Sequence, residues 1–314
     1  MTVMTDFATI KGLIPGGSYN VSISAVSWDN TTVGGNVVIS SSTRPETINN
    51  LSVRNNSTNS LFLTWTAPSG LHSYYIVYTV NISGNSSTNM TVMTDFATIK
   101  GLIPGGSYNV SISAVSWDNT TVGGNVVISS STRPETINNL SVRNNSTNSL
   151  FLTWTAPSGL HSYYIVYTVN ISGNSSTNMT VMTDFATIKG LIPGGSYNVS
   201  ISAVSWDNTT VGGNVVISSS TRPETINNLS VRNNSTNSLF LTWTAPSGLH
   251  SYYIVYTVNI SGNSSTNMTV MTDFATIKGL IPGGSYNVSI SAVSWDNTTV
   301  GDNVVISSST SKFV

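Results

Sequence analysis

Gly101-Leu102-Ile103-Pro104-Gly105-Gly106-Ser107-Tyr108-Asn109-Val110-Ser111-Ile112-Ser113-Ala114 reads as a turn running into a strand. Proline fixes φ, and the two glycines supply the positive φ that a chain reversal needs. Beyond them Tyr108, Val110, Ile112 and Ala114 alternate with Asn109, Ser111 and Ser113. That period of two marks a strand with one buried face and one wet face. The stretch occurs again from Gly12, Gly190 and Gly279, always 89 residues apart.

Repetition is a stronger guide to architecture than length. Met1, Met90, Met179 and Met268 are equivalent, so the 314 residues hold three and a half copies of one module. Within the copies one residue differs, Asp302 where the others carry Gly35, Gly124 and Gly213. After Thr310, Ser311-Lys312 replaces the Arg-Pro that opens each complete copy. The expected divisions are therefore 1–43, the back half of a module; 44–132, 133–221 and 222–310, complete modules; and a tail, 311–314.

Each module reads as seven short strands with turn signals roughly every 8–12 residues and no helical period, which predicts an antiparallel two-sheet sandwich. Leu102-x-Pro104-x-x-x-Tyr108 resembles the turn and tyrosine corner that lead into strand F of a fibronectin type III domain. Ser60-Leu61-Phe62-Leu63-Thr64-Trp65-Thr66-Ala67-Pro68 resembles that family's strand B, which ends in a buried Trp, and the Tyr74–Tyr78 stretch resembles strand C. The resemblance covers the whole chain. It implies an all-β fold: tandem immunoglobulin-like (fibronectin type III) β-sandwiches of seven antiparallel strands, arranged as an extended rod. The joint from Ser130 to Ile137, with Arg133-Pro134 at its centre, is short and has no flexible tether, so adjacent modules are expected to touch nearly end to end. Identical modules with identical joints repeat one rotation at each step.

The expected core is Leu102, Trp65, Tyr108, Val110, Ile112, Tyr74 and Ile76, with Phe62, Tyr75 and Val77 pointing outward. Residues 1–43 should contain a strand ending near Ile10, the Tyr19–Ala25 strand and one around Val37–Ser40. Their inner faces lack the counterparts of Leu51, Val53, Leu61, Leu63, Trp65, Tyr74, Ile76 and Tyr78, each worth about 1.5–3 kcal/mol when buried. The segment is not expected to fold alone, and Met1 is expected to be internal to a longer natural array.

Charged residues make up 7% of the chain, against roughly 25% in ordinary domains. Arg44, Arg54 and Lys100 balance Glu46, Asp95 and Asp118 within one module. No basic face offers itself to nucleic acid, and no apolar run approaches the ~18 residues of a membrane helix. The absence of Cys leaves the redox compartment unread.

Catalytic and metal chemistry find little footing, and no cofactor is expected. His72, His161 and His250 lie in a turn with no carboxylate in a recognisable relation and read as solvated loop residues. No Gly-x-Ser-x-Gly elbow exists. Asp95, Asp118 and Asn119 are too few for calcium, which takes six to eight oxygens. Trp117, with Trp28, Trp206 and Trp295, lies in the loop between the last two strands and is expected to pack on a neighbouring module. Some fibronectin type III domains carry an integrin-binding Arg-Gly-Asp there; this loop reads Ser116-Trp117-Asp118-Asn119-Thr120-Thr121, and that activity does not carry over.

The strong signal is Asn-x-Ser/Thr, the N-glycan acceptor. One module holds Asn50, Asn55, Asn56, Asn81, Asn85, Asn89, Asn109 and Asn119; chance in so Asn- and hydroxyl-rich a chain gives about three or four. The copies add Asn20 and Asn30; Asn139, Asn144, Asn145, Asn170, Asn174, Asn178, Asn198 and Asn208; and Asn228, Asn233, Asn234, Asn259, Asn263, Asn267, Asn287 and Asn297. Asn109 should face outward beside Tyr75 and Val77, where its glycan would cover them. The expected function is that of an extracellular, secreted or surface-displayed structural glycoprotein, not an enzyme. It would be a fibre, stalk or spacer with N-linked glycans and neighbouring modules or copies of itself as partners. The alternative is the ectodomain of an adhesion receptor or receptor-type phosphatase.

Overall fold

The computed structural model describes residues 2–81, 87–143, 146–160, 163–170, 176–259 and 265–312, and among them it is built of strands and turns alone. The chain divides into two compact units, one of residues 1–135, 158–162 and 204–212, the other of 136–157, 163–203 and 213–314.

The first unit begins with a two-stranded ribbon, β1 (Ser18–Ile23) and β2 (Val37–Ser42). A complete sandwich follows: β3 (Asn49–Asn56), β4 (Ser60–Thr66), β5 (Tyr74–Asn81), β6 (Ser87–Val92), β7 (Phe96–Lys100), β8 (Ser107–Val115) and β9 (Val126–Ser131). One sheet has the order β3-β4-β7, the other β6-β5-β8-β9, with every pair antiparallel. The same seven-strand order recurs from Asn138–Arg143 to Val215–Ser220 and from Asn227–Asn234 to Val304–Ser309. The expected seven-stranded sandwich is thus present three times.

Alternation along β4 sends Leu61, Leu63 and Trp65 inward, where they meet Val110, Ile112 and Ala114 of β8 and Ala97 and Ile99 of β7. Burying each large side chain is worth about 1.5–3 kcal/mol, so this cluster is what holds the two sheets together. Leu102 is half-buried and packs on its edge. Phe62 takes the outer side, against Phe96 at 6.0 Å.

Strand β5 overturns one expectation. Tyr75 is buried and Tyr74 only half-buried; in the third copy Tyr253 and Val255 are buried while Ile254 is half-buried. The register explains it, because Tyr75 stands opposite Ala114 and Val77 opposite Ile112, both core residues of β8. Cross-strand partners share a face, so the Tyr75 row must point in. Both rows of β5 are apolar, and period alone does not choose between them. The contact that does is the edge of Trp65 on Tyr75, ring centroids 5.2 Å apart at 77°. The side chains of Ile76, Val77 and Tyr78 lie outside what is described. Asn109 accordingly stands opposite Val80, not beside Tyr75 and Val77.

Residues 2–17 of the ribbon form no strand, and the strand expected near Ile10 is missing. In a complete module its equivalent, β7, hydrogen-bonds to β4, which the ribbon lacks. Ile23 is 58% exposed, whereas Ile112, its equivalent, is fully buried.

The turn before β8 positions everything that follows. Tyr108 reaches back from the strand, and its hydroxyl accepts the Ile103 N–H at 2.7 Å. A Cβ on Gly106 would lie 3.0 Å from that hydroxyl, a tight approach that favours glycine there. Thr132, beyond β9, closes the other side by donating from Oγ1 to the Ile103 carbonyl at 2.6 Å. Burial raises the Tyr108 phenol above its ordinary pKa, only partly offset by the Ile103 bond.

Candidate functional site

Two sets of residues remain once the core is accounted for: the acceptor asparagines and the module ends. Asn20, Asn30, Asn50, Asn89, Asn109, Asn119, Asn139, Asn178, Asn208, Asn228, Asn267, Asn287 and Asn297 are exposed, and Asn198 is half-buried. Asn85, Asn144, Asn145, Asn174 and Asn263 lie outside the described residues; for Asn55, Asn56, Asn81, Asn170, Asn233, Asn234 and Asn259 only the strand backbone is described.

The acceptors differ in how their amides are engaged. Asn50 sits at φ 53° in a bulged stretch of β3, and its Nδ2 donates to Thr66 Oγ1 at 3.2 Å. Asn139 and Asn228 do the same with Thr155 and Thr244. Asn109, mid-β8, instead accepts at Oδ1 from Ser129 Oγ at 2.6 Å, as Asn20, Asn198 and Asn287 accept from Ser40, Ser218 and Ser307. That bond orients the side chain and leaves Nδ2, the atom that carries a glycan, uncommitted. Asn119 holds φ 63° in its loop, a conformation Asn tolerates better than most residues.

Module ends meet through a recurring clasp. In the first compact unit, Leu71 N–H donates to the Pro15 carbonyl at 2.8 Å and Gly16 N–H to Arg44 at 3.2 Å. Trp117 N–H adds a bond to Gly16 at 3.3 Å. The approach is close enough that a Cβ on Gly16 would lie 1.7 Å from the Leu71 carbonyl oxygen, and one on Gly70 2.5 Å from that of Pro15. Thr121 Oγ1 donates to the Thr43 carbonyl at 3.1 Å, and Ser42 Oγ donates to Asp118 Oδ2.

The clasp repeats within the same unit between Gly105 and Leu160 and between Ser131 and Asp207. In the second unit Leu249 N–H meets the Pro193 carbonyl at 2.8 Å, Trp295 N–H meets Gly194 at 3.1 Å, and Ser220 meets Asp296. There Asp302, the odd residue of the repeat, forms an ion pair with Arg222. In the other complete modules the glycine at that position, Gly124 or Gly213, would bring a Cβ to 2.7 Å from a threonine methyl.

Hydrogen bonds set the carboxylates of the clasp. The Ser42 hydroxyl, with Ser116 and Thr120, holds Asp118 well below the usual carboxylate range against an opposing push from burial. Burial pushes Asp207 upward, but donors from Ser131, Ser205 and Thr209 outweigh it and bring the carboxyl down to about 2. Asp296 reaches about 2 by the same balance.

Two sequence readings need correction here. Trp117 and Trp295 touch the neighbouring module through main-chain bonds to Gly16 and Gly194, and Trp117, Trp206 and Trp295 stay 66%, 64% and 58% exposed. Packing of the ring was expected, but the loop's hydrogen bonds, not its aromatic, make the joint. His72 is no solvated loop residue: it is half-buried, with Nε2 3.0 Å from the buried Tyr75 hydroxyl, and His250 pairs likewise with Tyr253. Burial lowers the His250 pKa. His161 lies outside the described residues. The joint glycines and the Ser42–Asp118 bond escaped sequence reading, because nothing in a Pro-Gly-Gly turn says which partner approaches it.

The family model for the fibronectin type III domain matches residues 44–122, 133–211 and 222–300. Receptor-type tyrosine-protein phosphatase eta of Gallus gallus is 32% identical over 305 residues, 96% of this chain and 22% of its own length. Receptor-type tyrosine-protein phosphatase H of Homo sapiens is 32% identical over 90% of the chain and 25% of its length, and tenascin-R of Rattus norvegicus 28% identical over 91% and 21%. The chain thus spans a quarter or less of these relatives. A two-domain fibronectin type III segment from chicken tenascin aligns with 56% of this chain and 100% of its own, at 23% identity and a TM-score of 0.43.

Proposed function

This chain belongs to the fibronectin type III family, and on that premise we propose that it is a spacer: an extracellular run of modules that sets a distance and carries an N-glycan sheath. The observation that carries the reading is the clasp: a leucine N–H on a proline carbonyl and a serine hydroxyl on an aspartate recur wherever one module follows another. A ligand site is peculiar to one module; a device copied at every joint serves the array. Among the described residues no His/Cys/Asp/Glu group could hold a metal ion, so the chemistry on offer is hydrogen bonding at joints and acceptor amides on the surface.

The glycan coat accounts for a neutral surface in which hydroxyls and amides replace charge. Low net charge alone favours association. A hydrated carbohydrate layer would oppose it and would also block pairing at exposed strand edges.

The absence of cysteine makes the spacer reading directly testable. Spin labels on Lys100→Cys with Lys189→Cys, and on Lys189→Cys with Lys278→Cys, report the distance between successive modules. A spacer gives one narrow distribution shared by both pairs. Broad or unlike distributions contradict it. Glycopeptide mass spectrometry of native material tests the sheath, and bare Asn109, Asn198 and Asn287 in soluble native protein would refute it.

The second reading is a stretch of a receptor ectodomain that binds a protein ligand. The identity to receptor-type phosphatase eta over 96% of the chain favours it. The complete reading frame, with or without a membrane span and phosphatase domain, separates the two.

A further inference from the structure

We propose that the N-glycan on Asn109 crosses the joint and packs its first sugars on the exposed ring of Trp206 in the following module, with Asn20 serving Trp117 and Asn198 serving Trp295. The inference rests on the sheath reading above and adds to it a seat for one particular glycan. Three observations support the pairing.

First, β8 and β9 carry the acceptor straight to the joint. Asn109 pairs with Ser129 and Ser107 with Ser131, and Ser131 Oγ donates to Asp207, the residue after Trp206. From the acceptor's row to the clasp is one step of two residues, about 6.6–6.8 Å along a strand. The first sugars of a glycan cover that reach.

Second, the amide is prepared. Ser129 holds Asn109 by Oδ1 and leaves Nδ2 open, whereas Asn50, on the other sheet, spends its Nδ2 on Thr66. Third, Trp206 stays largely exposed in the loop that meets the preceding module. Trp28, in the opening half-module, is 99% exposed, and Trp206 is 64% exposed. What remains bare is a flat apolar face with a polar N–H at its edge, at the rim of a polar joint, the kind of ring enriched where one side is apolar and the other wet. The C–H face of a pyranose is apolar and flat, with hydroxyls at its edge, and fits an indole that must keep its surroundings wet.

A glycan seated in this way would tie two modules together without any new protein contact. The probe is acrylamide quenching of Trp fluorescence in the native glycosylated chain. Trp65, Trp154 and Trp243 are buried and shielded from the quencher, so the accessible signal comes from the loop tryptophans. Enzymatic removal of N-glycans from the folded chain should raise quenching of the joint tryptophans. The triple variant Asn20→Gln, Asn109→Gln, Asn198→Gln should behave as the deglycosylated chain does. Asn50→Gln, Asn139→Gln, Asn228→Gln should leave quenching unchanged. Occupied Asn109 with quenching that deglycosylation does not alter overturns this inference and spares the sheath. Unoccupied Asn20, Asn109 and Asn198 in native protein overturn both.

Discussion

Alanine at the joint glycines isolates the clasp from everything else in the fold. Gly16, Gly105, Gly194 and Gly283 occupy one position of one turn, at φ of 73°, 69°, 68° and 68°. Alanine at any of them incurs the left-handed backbone penalty, about 1–2 kcal/mol. At the first three a Cβ also lands 1.6–1.7 Å from a leucine carbonyl oxygen, which forces the two turns apart. At Gly283 the nearest atom is a Lys312 side-chain carbon at 3.1 Å, the flexible kind of neighbour that gives way. Separation of the turns breaks the Leu71-to-Pro15 hydrogen bond and its copies, and the Trp117-to-Gly16 and Trp295-to-Gly194 bonds, each worth about 0.5–1.5 kcal/mol.

The part specific to the joint is therefore about 1–3 kcal/mol, or roughly a 5- to 150-fold rise in exchange rate of the leucine amides. Because peptides from identical modules cannot be told apart, Gly16→Ala, Gly105→Ala and Gly194→Ala are made together. Hydrogen exchange is then read on the peptide shared by Leu71, Leu160 and Leu249. Gly283→Ala is the matched control and should leave that peptide's exchange unchanged. Exchange that does not accelerate in the triple variant, or accelerates equally in the control, refutes the reasoning.

Other outcomes follow from the same geometry. Tyr75→Ala and Tyr253→Ala should each cost about 3–5 kcal/mol in urea denaturation, as large core truncations do, and Tyr74→Ala about 1 kcal/mol; equal costs would restore the opposite register of β5. Acid should loosen joints before cores. Asp207 and Asp296 are held down at about 2 in the folded chain, so their contribution is complete above the ordinary carboxylate value near ~3.9 and is lost as pH falls toward 2. Protection of the joint leucine amides that survives to pH 2 would contradict this. Asp302→Gly should cost about 0–1 kcal/mol, the range of an exposed ion pair, and the difference should vanish in high salt.

The fold was legible where chemistry permits one answer. Tyr108 after a Pro-Gly-Gly turn, and Leu61, Leu63 and Trp65 alternating against hydroxyls, fit one strand register each. Strand β5 offered two apolar rows, Tyr74-Ile76-Tyr78 and Tyr75-Val77-Thr79, and it is Tyr75 that is buried, opposite the core residue Ala114. Hydrophobic content favours the wrong row; the choice belongs to Trp65 and Ala114, which reach the strand only in three dimensions. His72 was misread for the same reason, since its partner is the hydroxyl of the tyrosine assigned to the wrong face. Acceptor asparagines were legible as a motif, but the difference between Asn50 and Asn109, one amide nitrogen used and one free, depends on the cross-strand residues Thr66 and Ser129. The clasp was hidden because Gly16 and Gly70 look like ordinary turn glycines until their neighbours arrive.

The spacer account stands or falls on how length grows with module number. Small-angle scattering on chains of one, two and three complete modules, glycosylated and deglycosylated, measures this directly. Each module has a nine-residue central strand, which at about 3.3 Å per residue gives an axial contribution of about 30 Å. The account predicts that maximum dimension rises by equal steps of at least about that size, with or without glycans. A dimension that stops growing after the second module, or steps that differ from one joint to the next, would contradict it.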